Sequence, residues 1–335
     1  MKTLRIFFVC LLGVAWAVLF ALPAFAQDQQ PQGQGQGEVI QKTEEKSATP
    51  EVPKEKPKIN NLPQNWKGLS GLFFTTSTRT LDPGTVEVGP AWIMENSYKP
   101  SFTRTTYAFN AGVGIPNHFE FGLHIPYVQT DLYTTRTIDI FGNPKYNFTK
   151  VNQAGIGSVE GLFKWAINQQ SLFLPSFAVG LGFIAPSSNY TQGISSVKYF
   201  GFKALLCTSL EINDLFFTDY AFAVIADGAL VFRDLGFENR KYEEKHGEIH
   251  MGLVFPLHPR NYLTLITEYE GILLMGTTNA NNENSFLGGL RFTTQHINLT
   301  AGAQYVLVAT KDMRDKYRYV ANLTYKLGPP WPLFP

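Results

Sequence analysis

The sequence predicts an all-β fold: a transmembrane antiparallel up-and-down β-barrel of about twelve strands, with a signal peptide and a disordered N-terminal linker before it. Three observations predict it. Apolar residues recur at every second position from about Gly84 to Leu327, which gives strand after strand one apolar and one polar face. Connections alternate between tight and long, as in a barrel with short turns at one end and loops at the other. After the N-terminal leader, no run reaches the ~20 apolar residues of a spanning helix. A membrane chain of this pattern must close its sheet, because only closure satisfies every backbone group in lipid.

The chain has 335 residues, 14% aromatic, with 29 Gly and a net charge of +1, which gives no case for nucleic acid or a polybasic membrane patch. Lys2 and Arg5, the apolar run Ile6 to Leu22 and the Ala24-Phe25-Ala26 site read as a signal peptide over residues 1–26, cleaved after Ala26. Export without a helix predicts the bacterial outer membrane, with both termini periplasmic. Cleavage removes Cys10 and leaves Cys207 alone, a small hydrophobe without a disulfide partner.

Residues 27–64, with QDQQPQGQGQGE and KTEEKSATPEVPKEKPK, are too polar to offset the entropy of ordering and read as a disordered periplasmic linker. Residues 65–83 bring aromatics, Thr and a Pro-Gly turn, and read as a short strand or, preferably, a segment at the periplasmic mouth or a plug. The barrel is expected over 84–327 and a tail over 328–335.

The first strand puts Val86, Val88, Trp92 and Met94 opposite Glu87 and Glu95. The next two form a hairpin broken at Pro116-Asn117, with Phe119, Phe121, Leu123, Ile125 and Tyr127 outward and Arg104, Glu120 and His124 inward. Strands follow at Gly155–Ile167, Ser171–Ala185, Tyr199–Glu211, Leu215–Phe232, Gly247–Leu257, Asn261–Leu273, Asn284–Thr293, His296–Ala309 and Tyr317–Leu327. The tight connections are IPNHF, NQQ, IND, HPR and TQ. Gln129–Ala154, Pro186–Lys198, Arg233–His246 and Met275–Glu283 read as long loops. Trp92, Tyr127, Trp165, Tyr199, Tyr262, Tyr317 and Tyr319 suit interfacial girdles.

Parity assigns to the lumen Arg104, Glu120, His124, Glu160, Lys164, Lys203, Asp219, Asp227, Glu248, His250, Glu268, Glu270, Arg291 and Arg318, with Glu87, Glu95, Glu211 and Lys326 on the same side. A charge on the lipid face costs roughly 2–4 kcal/mol at midplane, which drives them inward. There they form either an ion-paired layer bracing the wall or a selectivity surface for a solute. No local motif joins Ser158 or Ser209 to His124 or His250, so no catalytic residue is assigned. The histidines and carboxylates lack metal-ligand spacing, and no metal or cofactor is assigned.

Three patches carry a family resemblance: TTSTRTLDPGTVEVGPAW, GVGIPNHFEFGLHIPYV and GIGSVEGLFKWAI. Together they resemble the outer-membrane barrels of the transporter family of the MetA pathway of phenol degradation. The hairpin matches at Gly114, Ile115, Phe119, Glu120, Phe121, Gly122, Leu123, Pro126 and Tyr127, while Ser158 stands where that family often has an acidic residue. The resemblance implies a channel-like protein for passive uptake of small hydrophobic or aromatic solutes. Its other expected partners are outer-membrane lipids and the barrel-assembly machinery, with no nucleic acid. A structural or surface-interaction barrel with a filled lumen is the alternative, and a lipid-acting barrel enzyme a third.

Overall fold

The structure, a computed structural model, describes residues 62–328 apart from 100, 139–143, 172–173, 188–193, 195–196, 198, 213–221, 234–243, 259–261, 276–282 and 309–313. The expected signal peptide, most of the linker and nearly all of the tail lie outside the described residues.

The strands are Val86–Lys99 (β1), Ser101–Ile115 (β2), Phe119–Ile138 (β3), Pro144–Ile156 (β4), Val159–Asn168 (β5), Ser176–Ala185 (β6), Gly201–Glu211 (β7), Ala223–Arg233 (β8), Glu244–Pro256 (β9), Leu263–Met275 (β10), Glu283–Thr293 (β11), Ile297–Val308 (β12) and Arg314–Leu327 (β13). All pair antiparallel with their neighbours, and β1 pairs with both β2 and β13, which closes the sheet. Thirteen segments make twelve staves, because β4 and β5 are two parts of one return strand along β3. Tyr127 faces Ile156 and His124 faces Glu160, so three steps on β3 oppose four on its partner. The extra residue is a bulge beside Pro126, which has no N–H for the ladder and accepts the Gly157 amide at 2.8 Å.

The outward face is apolar. Along β6 exposed Phe177, Val179, Leu181 and Phe183 alternate with buried Ser176, Ala178, Gly180, Gly182 and Ile184. The hairpin of β2 and β3 turns on Asn117 and His118, both at φ 65°, the left-handed conformation that Asn tolerates well. That turn lies at the same end as Val86 and Leu327, here called the tight-turn end.

Three expectations change. Gln129–Ala154 is largely strand: β3 runs on to Ile138 and β4 returns from Pro144, so the hairpin rises beyond the bulge. Its Thr and Tyr content, which reads as loop polarity, is also what favours β-structure. The stave expected from Ser171 begins at Ser176, after an isolated bridge from Ser171 to Leu174, and the NQQ turn widens accordingly. The strand expected from Leu215 is described from Ala223, and Asp219 lies outside the described residues.

The interior holds a hydrophobic core that the strands alone do not supply. Residues 62–85 run inside the barrel. Leu62, Trp66, Leu72 and Phe73 pack against wall residues Ala91, Ala108, Ile225, Ile266, Leu287 and Val320. Leu69 packs against Leu162, Ala178, Leu205 and Ala229. Each such buried side chain is worth about 1.5–3 kcal/mol over its exposed state.

Candidate functional site: a plugged lumen with a cavity above it

A non-regular segment inside a barrel carries backbone donors with no ladder to join, and each needs a partner. The wall supplies them, chiefly as carboxylates. Glu268 accepts the backbone N–H of Phe73 at 2.6 Å and those of Phe74 and Thr75 at 2.8 Å, with the Thr75 hydroxyl also at 2.8 Å. Successive amides converging on one anion form a nest whose anion is a wall side chain. Glu120 accepts the Ser70 amide at 2.7 Å and its hydroxyl at 2.8 Å. Asp227 accepts the Thr76 amide at 2.5 Å, Glu87 the Gln64 amide at 3.0 Å, and Ser209 Oγ the Thr78 amide at 3.1 Å. Hydrogen bonds to charged groups contribute about 1.5–3 kcal/mol each, so this set rivals the hydrophobic anchors as a fastening.

Lys164 completes the lock. Its ammonium is 2.8 Å from the Glu120 carboxylate, both side chains fully buried, and it donates to the carbonyls of Ser77 at 3.1 Å and Arg79. At the segment's far end Arg79 pairs with Glu211, and Pro83-Gly84 turn the chain into β1. Thr85 N–H returns to the Asp82 carbonyl at 2.9 Å and Gly84 has φ 76°, the type II arrangement that places Gly after Pro. Gly68, at φ 81°, lies against the backbone of the hairpin: a Cβ on Gly122 would come within 2.8 Å of its carbonyl oxygen, and one on Gly112 within 2.7 Å. These glycines let the segment reach the wall.

The hairpin residues Glu120 and Gly122 therefore dock the inner segment, and the threonine patch from Thr75 to Thr78 is what the wall grips. The patches that carry the family resemblance meet elsewhere: Lys164 donates to the carbonyls of Ser77 and Arg79, and Gly114 exchanges backbone hydrogen bonds with Gly84 and Thr85. Sequence parity puts Glu120, Asp227 and Glu268 inward but gives no sign of their partners, because backbone amides leave no mark in a sequence.

The other inward charges stand further from the tight turns. They line a cavity of about 310 Å³ whose floor includes Trp66, Lys67, Phe74 and Thr76 of the plug. Arg104, His124, Glu160, Lys203, Glu248, His250, Glu270 and Arg318 line it, with Asp227 at its base and Glu95 and Arg233 joining them. Lys67 pairs with Glu160 at 2.7 Å, and Lys203 with Glu248. Arg318 draws together Glu95 at 2.9 Å, Glu270 at 3.1 Å and Glu283. His124 Nδ1 meets Asn110 Oδ1 and His250 Nδ1 meets Asp227, each at 2.8 Å. Ile194 and Val197, from the connection between β6 and β7, are buried, and Ile194 lines the cavity. Both fall in the stretch Pro186–Lys198 that the sequence predicts as a polar loop, where two apolar residues among Ser, Asn and Thr are the signal of burial.

Arg291 stands apart from this cavity. Its Nε donates to Thr300 at 3.1 Å, and buried oxygens of Gln64, Glu87, Asn298 and Asn322 lie unpaired in the lumen with its two terminal nitrogens. Among the described residues no group of His, Cys, Asp and Glu has the arrangement of a metal site.

The class these features define is a closed twelve-stave β-barrel with an internal plug. No family model matches the chain, and no curated protein matches its sequence. Among solved structures it is similar to the NanC porin, at 11% identity and TM-score 0.42 over 71% of this chain and 100% of that one. It is also similar to the translocator domain of the autotransporter NalP from Neisseria meningitidis, at 9% identity and TM-score 0.42 over 73% and 88%. The CymD monoaromatic hydrocarbon channel gives 10% identity and TM-score 0.38 over 73% and 88%. None of these likenesses bears on what this chain carries, and the resemblance to the MetA-pathway transporters rests on its quoted residues.

Proposed function

We propose that the chain is an outer-membrane, channel-like barrel for passive uptake of small hydrophobic or aromatic solutes, closed from the periplasmic side by its own plug. The observation that carries this reading is the cavity of about 310 Å³ floored by plug residues Trp66, Lys67, Phe74 and Thr76. A solute received from the long-loop end meets a mixed apolar and charged chamber, and passage onward requires the plug to shift. The apolar outward face supports membrane insertion. The resemblance to the MetA-pathway family supports an aromatic solute. On this reading the tight-turn end, with both termini, is periplasmic, and the signal peptide directs export.

Single-channel recording, with uptake of 4-hydroxybenzamide into proteoliposomes, tests it. Uptake above protein-free liposomes is expected. A second reading, a structural barrel with a filled lumen, draws on the same plug contacts. A folded barrel with neither conductance nor uptake would retire the channel in its favour.

A further inference from the structure

The acids that line the cavity are all engaged. Glu160 takes Lys67, Glu248 takes Lys203, Asp227 takes His250, and Glu95 and Glu270 both take Arg318. Arg318 also takes Glu283, and two further bases stand outside these pairs. Arg104 and Arg233 line the same chamber, and neither guanidinium has a hydrogen-bond or ion-pair partner among the described residues. The Arg233 Nε is buried without an acceptor. Arg104 lies opposite Glu95 in the register of β1 and β2, but that carboxylate accepts from Arg318 Nε at 2.9 Å. Arg104 feels first the charge of Glu95, which Arg318 shares, and then those of Arg318 and Arg233, so three guanidinium groups gather around one carboxylate in this part of the chamber.

Guanidinium groups present planar forks of N–H donors that match a carboxylate, and two of them repel unless an anion lies between. The same chamber includes Phe74, Ile93, Val128 and Ile194, which offer nothing to a small hydrated ion but bury an apolar body.

We infer that the cavity is a binding site for an amphipathic monocarboxylate, its carboxylate held by Arg104 and Arg233 and its apolar body by Phe74, Ile93, Val128 and Ile194. The inference rests on the channel reading for its role as a substrate site, whereas binding itself is measured without flux.

The test is calorimetric titration of the purified full-length barrel in a neutral detergent with 3-phenylpropanoate, its neutral isostere 3-phenylpropanamide, and sodium sulfate. The carboxylate is expected to bind at least tenfold more tightly than either comparator. Arg104→Gln and Arg233→Gln should each weaken it about tenfold, and the double variant should bind acid and amide alike, with heat-modifiable gel migration confirming the fold of each. Equal affinity for acid and amide in the wild type would overturn the inference, as would full carboxylate binding by the double variant. Sulfate binding as tight as 3-phenylpropanoate would overturn the amphipathic assignment. Carboxylate binding without any solute uptake sinks the channel reading and leaves the site; uptake without carboxylate preference does the reverse.

Discussion

Thr75 donates both its backbone N–H and its hydroxyl to one oxygen of Glu268, each at 2.8 Å. The residues lie far apart in sequence, and the contact joins the inner segment to the wall at β10. With Phe73 and Phe74 it makes Glu268 the most heavily used acceptor of the plug. Glu268→Gln keeps the shape but removes the charge and one acceptor. The amides of Phe73, Phe74 and Thr75 should then exchange hydrogen at least tenfold faster, the equivalent of about 1.4 kcal/mol, while strand amides of β10 stay protected. Hydrogen exchange read by mass spectrometry checks it, and unchanged plug protection would count against the nest as a fastening.

Lys164 and Glu120 form a pair with no exposed surface. Removing one member strands the other, at roughly 3–5 kcal/mol, whereas removing both does not. Lys164→Met is therefore expected to lower the unfolding midpoint in denaturant sharply, and Lys164→Met with Glu120→Gln to recover much of the loss. An additive double variant would mean that the two charges do not depend on each other.

Gly122 has a different role, that of leaving room. A methyl there would sit within 2.8 Å of the Gly68 carbonyl oxygen, and backbone cannot yield cheaply. Gly122→Ala should fold as a barrel, shown by a faster-migrating unheated form on gels, yet displace the plug and raise conductance. Wild-type conductance in a folded Gly122→Ala barrel would contradict the docking of Gly68 on the hairpin.

The outward face has its own test at Leu181, 70% exposed near the middle of β6. On the membrane reading Leu181→Arg costs about 2–4 kcal/mol of folding into lipid vesicles, where a merely water-facing site would be within about 0.5 kcal/mol of neutral. Vesicle folding titrations distinguish the two.

Much of this architecture is legible in the sequence because period-two alternation is a local property. Phe119, Phe121 and Tyr127 alternate with Glu120, Gly122 and His124 whatever lies across the sheet. What alternation cannot carry is the destination of an inward charge. Glu120 and Glu268 read equally well as selectivity groups or as bracing, and only the fold brings Ser70 and Thr75 to them. Leu69, Leu72 and Phe73 likewise read as a short strand or a mouth, because a segment buried without regular pairing has no period to detect. The rising hairpin of β3 and β4 is hard to read for another reason: its Thr, Asn and charged residues break the apolar alternation, so its composition resembles a loop.

The central claim is that residues 62–85 close the barrel and must move for a solute to cross. Thr78 and Ser176 test it most directly, because their hydroxyl oxygens are 2.6 Å apart, one on the plug and one on β6. Cysteines at both sites are close enough for a disulfide. In the Thr78→Cys, Ser176→Cys barrel reconstituted in liposomes, uptake of 4-hydroxybenzamide should be abolished when oxidised and return to the wild-type rate on reduction. Equal uptake in the oxidised and reduced states, with the crosslink verified by mass spectrometry, would contradict the account.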